Sequence, residues 1–323
     1  MHAASERLVL ADTDVIGQRR TSVDGQKQAF GAMIRCSNIR YLKLGSTPTN
    51  MLVYKYRNCA QRTWELLLNR KLFFATPAQL NDPLDSSIDI HAEYERAKEL
   101  VHESDDHPDR RKSFLIFLLD QSHRFKDPAS GEQIGLSKAL QHFIRSLGIL
   151  SLSRTPTDAL LWSHYAEGHC GLCLGFDPEL LELDVFIKGD VEYAARPPYV
   201  DLFLKMTEEI GEFVRPWEQH KYPDEQGDQF YTSQLSRLMR ANLLVKSEKW
   251  KYEEEYRMIT SRPGHHAFSP RALREVVLGT RTHESDRETL ANILRHPDYA
   301  HVQVRSVRQV PGTFEFGLVD RDD

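Results

Sequence analysis

The stretch Gly148 to Asp177, GILSLSRTPTDALLWSHYAEGHCGLCLGFD, constrains the fold most. It opens on an apolar strand that carries two serines, Ser151 and Ser153. A turn, Thr155-Pro156-Thr157-Asp158, leads into a short helical run, and a second strand ends at Phe176. Two strands this close, joined by one short helix, belong in a sheet. The same segment gathers chemically able side chains: Arg154, Trp162, His164, Tyr165 and His169. By itself it carries no reaction signature.

The flanking sequence supplies further strands and helices. Met51 to Arg57 alternates Tyr54 and Tyr56 against Lys55 and Arg57, the period of a strand. Thr63 reads as the cap of a short helix, TWELLLNRK, and Leu72 to Thr76 as a strand before the turn Asn81-Asp82-Pro83. Helical patterns cover Ala92 to Val101, Arg111 to Phe125, Leu136 to Leu147, Tyr199 to Phe213 and Tyr231 to Leu244. Asp190 to Tyr193 and Lys246 to Ile259 read as strands. Ser269-Pro270 opens a short helix, RALRE, before a strand VVLG, a helix Asp286 to Leu294 and a strand HVQVRSVRQV. The recurring strand–helix–strand order predicts an α+β (mixed α/β) fold with a central mixed sheet. Residues 46–323 are expected to form a single α+β domain, with helical insertions near 91–147 and 199–244. Residues 1–45 read as an N-terminal arm or capping segment.

A net charge of -5 gives no global field for nucleic acid. No apolar run approaches the ~20 residues of a spanning helix, and MHAASERLVLADTD has no secretory pattern. Cys36, Cys59, Cys170 and Cys173 make no disulfide framework, so the expected location is cytoplasmic, with reduced thiols. Cys170 and Cys173 are spaced to point to opposite faces of a strand, and they are expected to be buried and metal-free.

On the strand Trp250 to Ile259, alternation puts Glu253, Glu255, Arg257 and Ile259 on one face. Trp250, Tyr252, Tyr256 and Met258 share the other with Glu254. The acidic face is either solvated or the polar wall of a cleft. Trp162 and Tyr165 are either core anchors or the lining of a ligand pocket. A magnesium site from Asp82, Asp85 and Glu255 would rest on a very common spacing. Walker A, Gly-x-Gly-x-x-Gly, Gly-x-Ser-x-Gly and His-Glu-x-x-His motifs are all absent from the sequence.

The chain resembles the bacterial family called domain of unknown function 2971. The matching pieces are YKYR (Tyr54–Arg57), LFFATPAQLNDPLD (Leu72–Asp85), LSLSRTPTDALLWSHYAEGHCGLCLGFD (Leu150–Asp177), WKYEEEYRMI (Trp250–Ile259) and LREVVLG (Leu273–Gly279). A weaker resemblance is to ADP-ribosyltransferase-like folds. There, a basic residue on an early strand, Ser or Tyr on a middle strand and Glu-x-Glu on a late strand match Arg57, Ser151 or Ser153 with Tyr165, and Glu253-x-Glu255.

That second resemblance implies a NAD-using enzyme in a phage-defence or toxin role, with NAD as substrate, no metal, and a protein or nucleic-acid acceptor. It implies catalytic roles for Glu255, Glu253, His164 and Arg57. Substrate contacts would come from Tyr54, Asn81, Asp82, Ser151, Ser153, Arg154, Trp162, Tyr165 and Arg257. Two rivals stand beside it: a non-catalytic nucleotide or nucleic-acid binding module, and a metal-dependent nuclease. No membrane partner is expected.

Overall fold

The computed structural model describes residues 51–87, 89–104, 125–126, 130–181, 183–199, 201–203, 205 and 236–320. The expected arm 1–45 and nearly all of the expected helix Arg111–Phe125 lie outside them. In chain order the first elements are β1 (Val53–Arg57), α1 (Gln61–Asn69), β2 (Lys71–Phe74), α2 (Ile90–Ser104), β3 (Phe125–Lys126), β4 (Gln133–Ile134) and α3 (Leu136–Arg145). Next come β5 (Gly148–Ser153), α4 (Ala159–Tyr165), β6 (Leu172–Phe176), β7 (Ile187–Asp190) and β8 (Glu192–Ala194). The chain then gives β9 (Val245–Ser247), β10 (Glu255–Thr260), β11 (Gly264–Ala267), β12 (Leu273–Leu278), α5 (Glu284–Leu294), β13 (Gln303–Gln309) and β14 (Phe316–Asp320).

The fold is α+β. Its main sheet has the order β14-β13-β12-β6-β1-β5-β10-β7. β12 and β13 run parallel, joined through α5, and the other neighbours in this sheet run antiparallel. The central strands β6 and β10 are buried at every residue, which follows from packing on both faces. On β5, alternation splits the core: Ile149 joins α2, α3 and the helical residues 236–243, while Leu150 and Leu152 join α1, β2 and α5. α3 follows the helical period, burying Leu140, Phe143, Ile144 and the Leu147 just beyond it. α4 is started by Asp158, whose carboxylate accepts from the backbone N–H groups of Leu160 and Leu161.

Four local expectations are corrected. Thr63 does not cap α1: the helix starts at Gln61, and Thr63 is buried inside it. Lys246 to Ile259 is not one strand. After β9, a 3-10 turn covers Glu248–Glu253, and Glu254 in the left-handed region (φ 42°) starts β10. RALRE makes only one 3-10 turn at Pro270–Ala272, because Leu273 already pairs with Phe176 of β6. Asp190 to Tyr193 divides between β7 and β8. Cys173 is buried in β6 and Cys170 is half-buried just before it, both as free thiols. Among the described residues, no helix is long and apolar enough to cross a membrane.

Candidate functional site: a cavity at a split in the sheet

β1 and β5 are neighbours in the sheet, yet they share one register pair, Tyr54 with Ser153. Lower down, the edge of β5 is taken instead by Ala75, which exchanges two backbone hydrogen bonds with Ile149. Between these two points the strands part. A cavity of about 900 Å³ opens there, lined by residues from both faces of β1 and β5, by α1 and β2, and by Gln79 to Asn81. The size suits a small-molecule site. At the split, the Ser151 carbonyl accepts from the Lys55 ammonium at 2.7 Å, so a side chain fills the place of a ladder bond.

One end of the cavity is closed by buried charge. Lys246 Nζ lies 2.6 Å from Glu253, 3.3 Å from Glu255 and 3.5 Å from Asp85. Arg257, fully buried, donates to both oxygens of Glu255 at 2.7 and 2.9 Å and to Asp85 at 2.5 Å. It also donates to Ser86 Oγ and to the Leu243 carbonyl. The left-handed Glu254 sets this up, since it ends the 3-10 turn with Glu253 and starts β10 with Glu255 beside the same lysine. Tyr165 donates to the remaining oxygen of Glu253 at 2.7 Å and accepts from Asn81, which ties the 76–87 loop to α4. Burial alone would raise the Glu255 carboxyl. Arg257, Lys246 and a Ser151 hydrogen bond outweigh it and hold the group at about 2. Burial works the other way on Lys55: together with nearby Arg57 it lowers the amine to about 8, against the pull of Glu255 and Glu253.

Residues 161–258 match the model of the family described as Protein of unknown function (DUF2971). Over that stretch the chain resembles this family. No curated protein and no solved structure matches the chain. The matched residues hold most of α4 and the charge cluster of Lys246, Glu253, Glu255 and Arg257, while Asp85 and the β1 and β5 walls of the cavity precede them.

Relative to the cavity, the residues singled out from sequence divide in two. Tyr54, Arg57, Asn81, Ser151, Ser153, Tyr165, Glu253 and Glu255 all line it. Across β1, β5 and β10, Ser153 stands between Tyr54 and Glu255. The others lie elsewhere. Trp162 is fully buried, edge-on to Tyr56, with its indole N–H on the Pro156 carbonyl. His164 is exposed, near Tyr165 and Tyr252, outside the lining. Arg154 stacks over Tyr256 and pairs with Asp190. Asp82 caps its own turn at Leu84 N–H. Arg257 sits behind Glu255 and does not reach the cavity.

Sequence reasoning missed Lys55, Lys246 and Asp85 as parts of one site. In the sequence Asp85 reads as part of a polar turn with Asn81 and Asp82, or as a metal ligand. Strand alternation puts Lys55 beside Arg57 without marking it as a site residue, and Lys246 lies seven residues from Glu253 with a turn between.

Proposed function

We propose that the β1–β5 cavity is the active site of an ADP-ribosyltransferase-like enzyme that uses NAD. The observation that carries this reading is the side-by-side placement of β1, β5 and β10. It brings Lys55 and Arg57, Ser151 and Ser153, and Glu253 and Glu255 to one cavity. Cleavage of the nicotinamide–ribose bond builds positive charge on the ribose, which a fixed carboxylate stabilises. Glu255 suits that role as a charge rather than as a proton carrier, because it stays ionised at any physiological pH. Arg57, Arg62 and Lys71 line the same cavity and offer cations to a pyrophosphate. The direct experiment follows nicotinamide release from NAD by the purified chain. Release that is weakened by Arg57→Ala supports the reading; absence of both binding and release contradicts it.

A second reading, a non-catalytic nucleotide-binding module, is favoured by one specific fact. Each carboxylate oxygen of Glu253 and Glu255 already accepts from Lys246, Arg257 or Tyr165, which leaves the cluster no free base. NAD binding without nicotinamide release selects it. A nuclease centred on Asp82, Asp85 and Glu255 is not proposed. Asp85 and Glu255 are committed to Arg257, and among the described residues no group of three or more His, Cys, Asp or Glu is placed to hold a metal.

A further inference from the structure

Lys55 is the one lysine that β1 places in the split between the strands. Its ammonium spends one donor on the Ser151 carbonyl, and its stem runs along the cavity wall. The charged groups facing the same space come from every element around it. Arg57 is on its own strand, Arg62 and Glu65 are on α1, and Lys71 is on β2. Asp85 is in the loop after β2, Lys246 on β9, Glu253 in the 3-10 turn and Glu255 at the start of β10, with His265 on β11. Glu253, Glu255 and Asp85 are bound to Lys246 and Arg257, so Lys55 stands beside carboxylates already paired with other cations. An amine in a partly dry cavity, next to a second cation and without a carboxylate of its own, is the arrangement that activates a lysine as a nucleophile.

We propose that Lys55 is a reactive amine that captures the carbonyl carbon of a small phosphorylated aldehyde, with Arg57, Arg62 and Lys71 receiving the phosphate. In the step, the neutral Lys55 Nζ adds to the aldehyde carbon and forms a C–N bond. The two protons of the amine pass to the former carbonyl oxygen, the C–O bond breaks and water leaves, giving the neutral imine; no oxidant or reductant is consumed. The depressed basicity of Lys55, caused first by burial and then by Arg57, supplies far more neutral amine near neutral pH than an exposed lysine has. This inference does not depend on NAD being a substrate.

The test treats the full chain with pyridoxal phosphate at about pH 7, where free lysines are almost fully protonated. Borohydride traps the imine, and peptide mapping compares the labelling rate of each lysine. Lys55 is expected to label about tenfold faster or more than the exposed Lys249 and Lys251. Excess inorganic phosphate should slow Lys55 selectively, through the cationic wall. Labelling of Lys55 no faster than of Lys249 and Lys251, or no labelling of Lys55 at all, overturns the proposal. Both measurements are made on the unmodified sequence, so a variant that fails to fold does not enter the result.

Discussion

Glu255 shows how one residue sets limits on the whole site. Its two oxygens are held by Arg257 and Lys246 in a buried cluster, so its charge belongs to the packing as well as to the cavity. Glu255→Gln keeps the shape but leaves two buried cations short of one carboxylate. We expect it to cost about 3–5 kcal/mol of stability, measured by urea unfolding. A loss below about 1 kcal/mol would mean that the cluster is solvated. The pH dependence has a definite sign. In the folded protein Glu255 titrates at about 2, below its ordinary 4.5. Its contribution to stability is therefore complete above about 4.5 and lost as pH falls toward about 2. Unfolding midpoints should drop across that window in the wild type, and the drop should shrink in Glu255→Gln.

At the scale of elements, α4 and the turn after it act as a brace. Glu167, Gly168 and His169 follow one another at positive φ, and Gly171 then passes so close to the Arg57 carbonyl that a Cβ there would lie 2.1 Å from it. Trp162 fills the space between α4 and the sheet. Trp162→Ala should cost about 3–5 kcal/mol in thermal or urea unfolding, as removal of a large buried ring does. Nucleotide addition should leave the fluorescence of Trp162 unchanged, because the ring lies outside the cavity; a quench that is lost in Trp162→Phe would place the ligand elsewhere.

Much of this level was legible in sequence. β1, β5 and β13 follow period-two patterns, β2 and β6 are short apolar runs, and α3 follows the 3.6 period. What could not be read is where regularity breaks. The left-handed Glu254 carries no glycine to announce it, and RALRE has helical composition but is drawn into β12 by pairing with β6. The gap between β1 and β5 is equally silent, since a missing ladder leaves no mark on either strand's own residues.

Across the whole molecule, the split divides labour. β6, β12 and β13 form a paired sheet braced by α5, while β10 and the 3-10 turn before it carry Glu255 and Glu253, and β1 stands between the two halves with the cavity on its open side. Apart from Asp85 the cluster falls in the matched residues 161–258 and the cationic wall comes from residues before them, so the site needs both parts of the chain. The central claim is that this gap is where NAD is held. Hydrogen–deuterium exchange of the chain with and without NAD tests it most directly. The account predicts slower exchange in Val53–Arg57, at Ala75 to Asn81 and in Gly148–Ser153, with the outer strands β13 and β14 unchanged; protection confined to other segments, or none at saturating NAD, would contradict it.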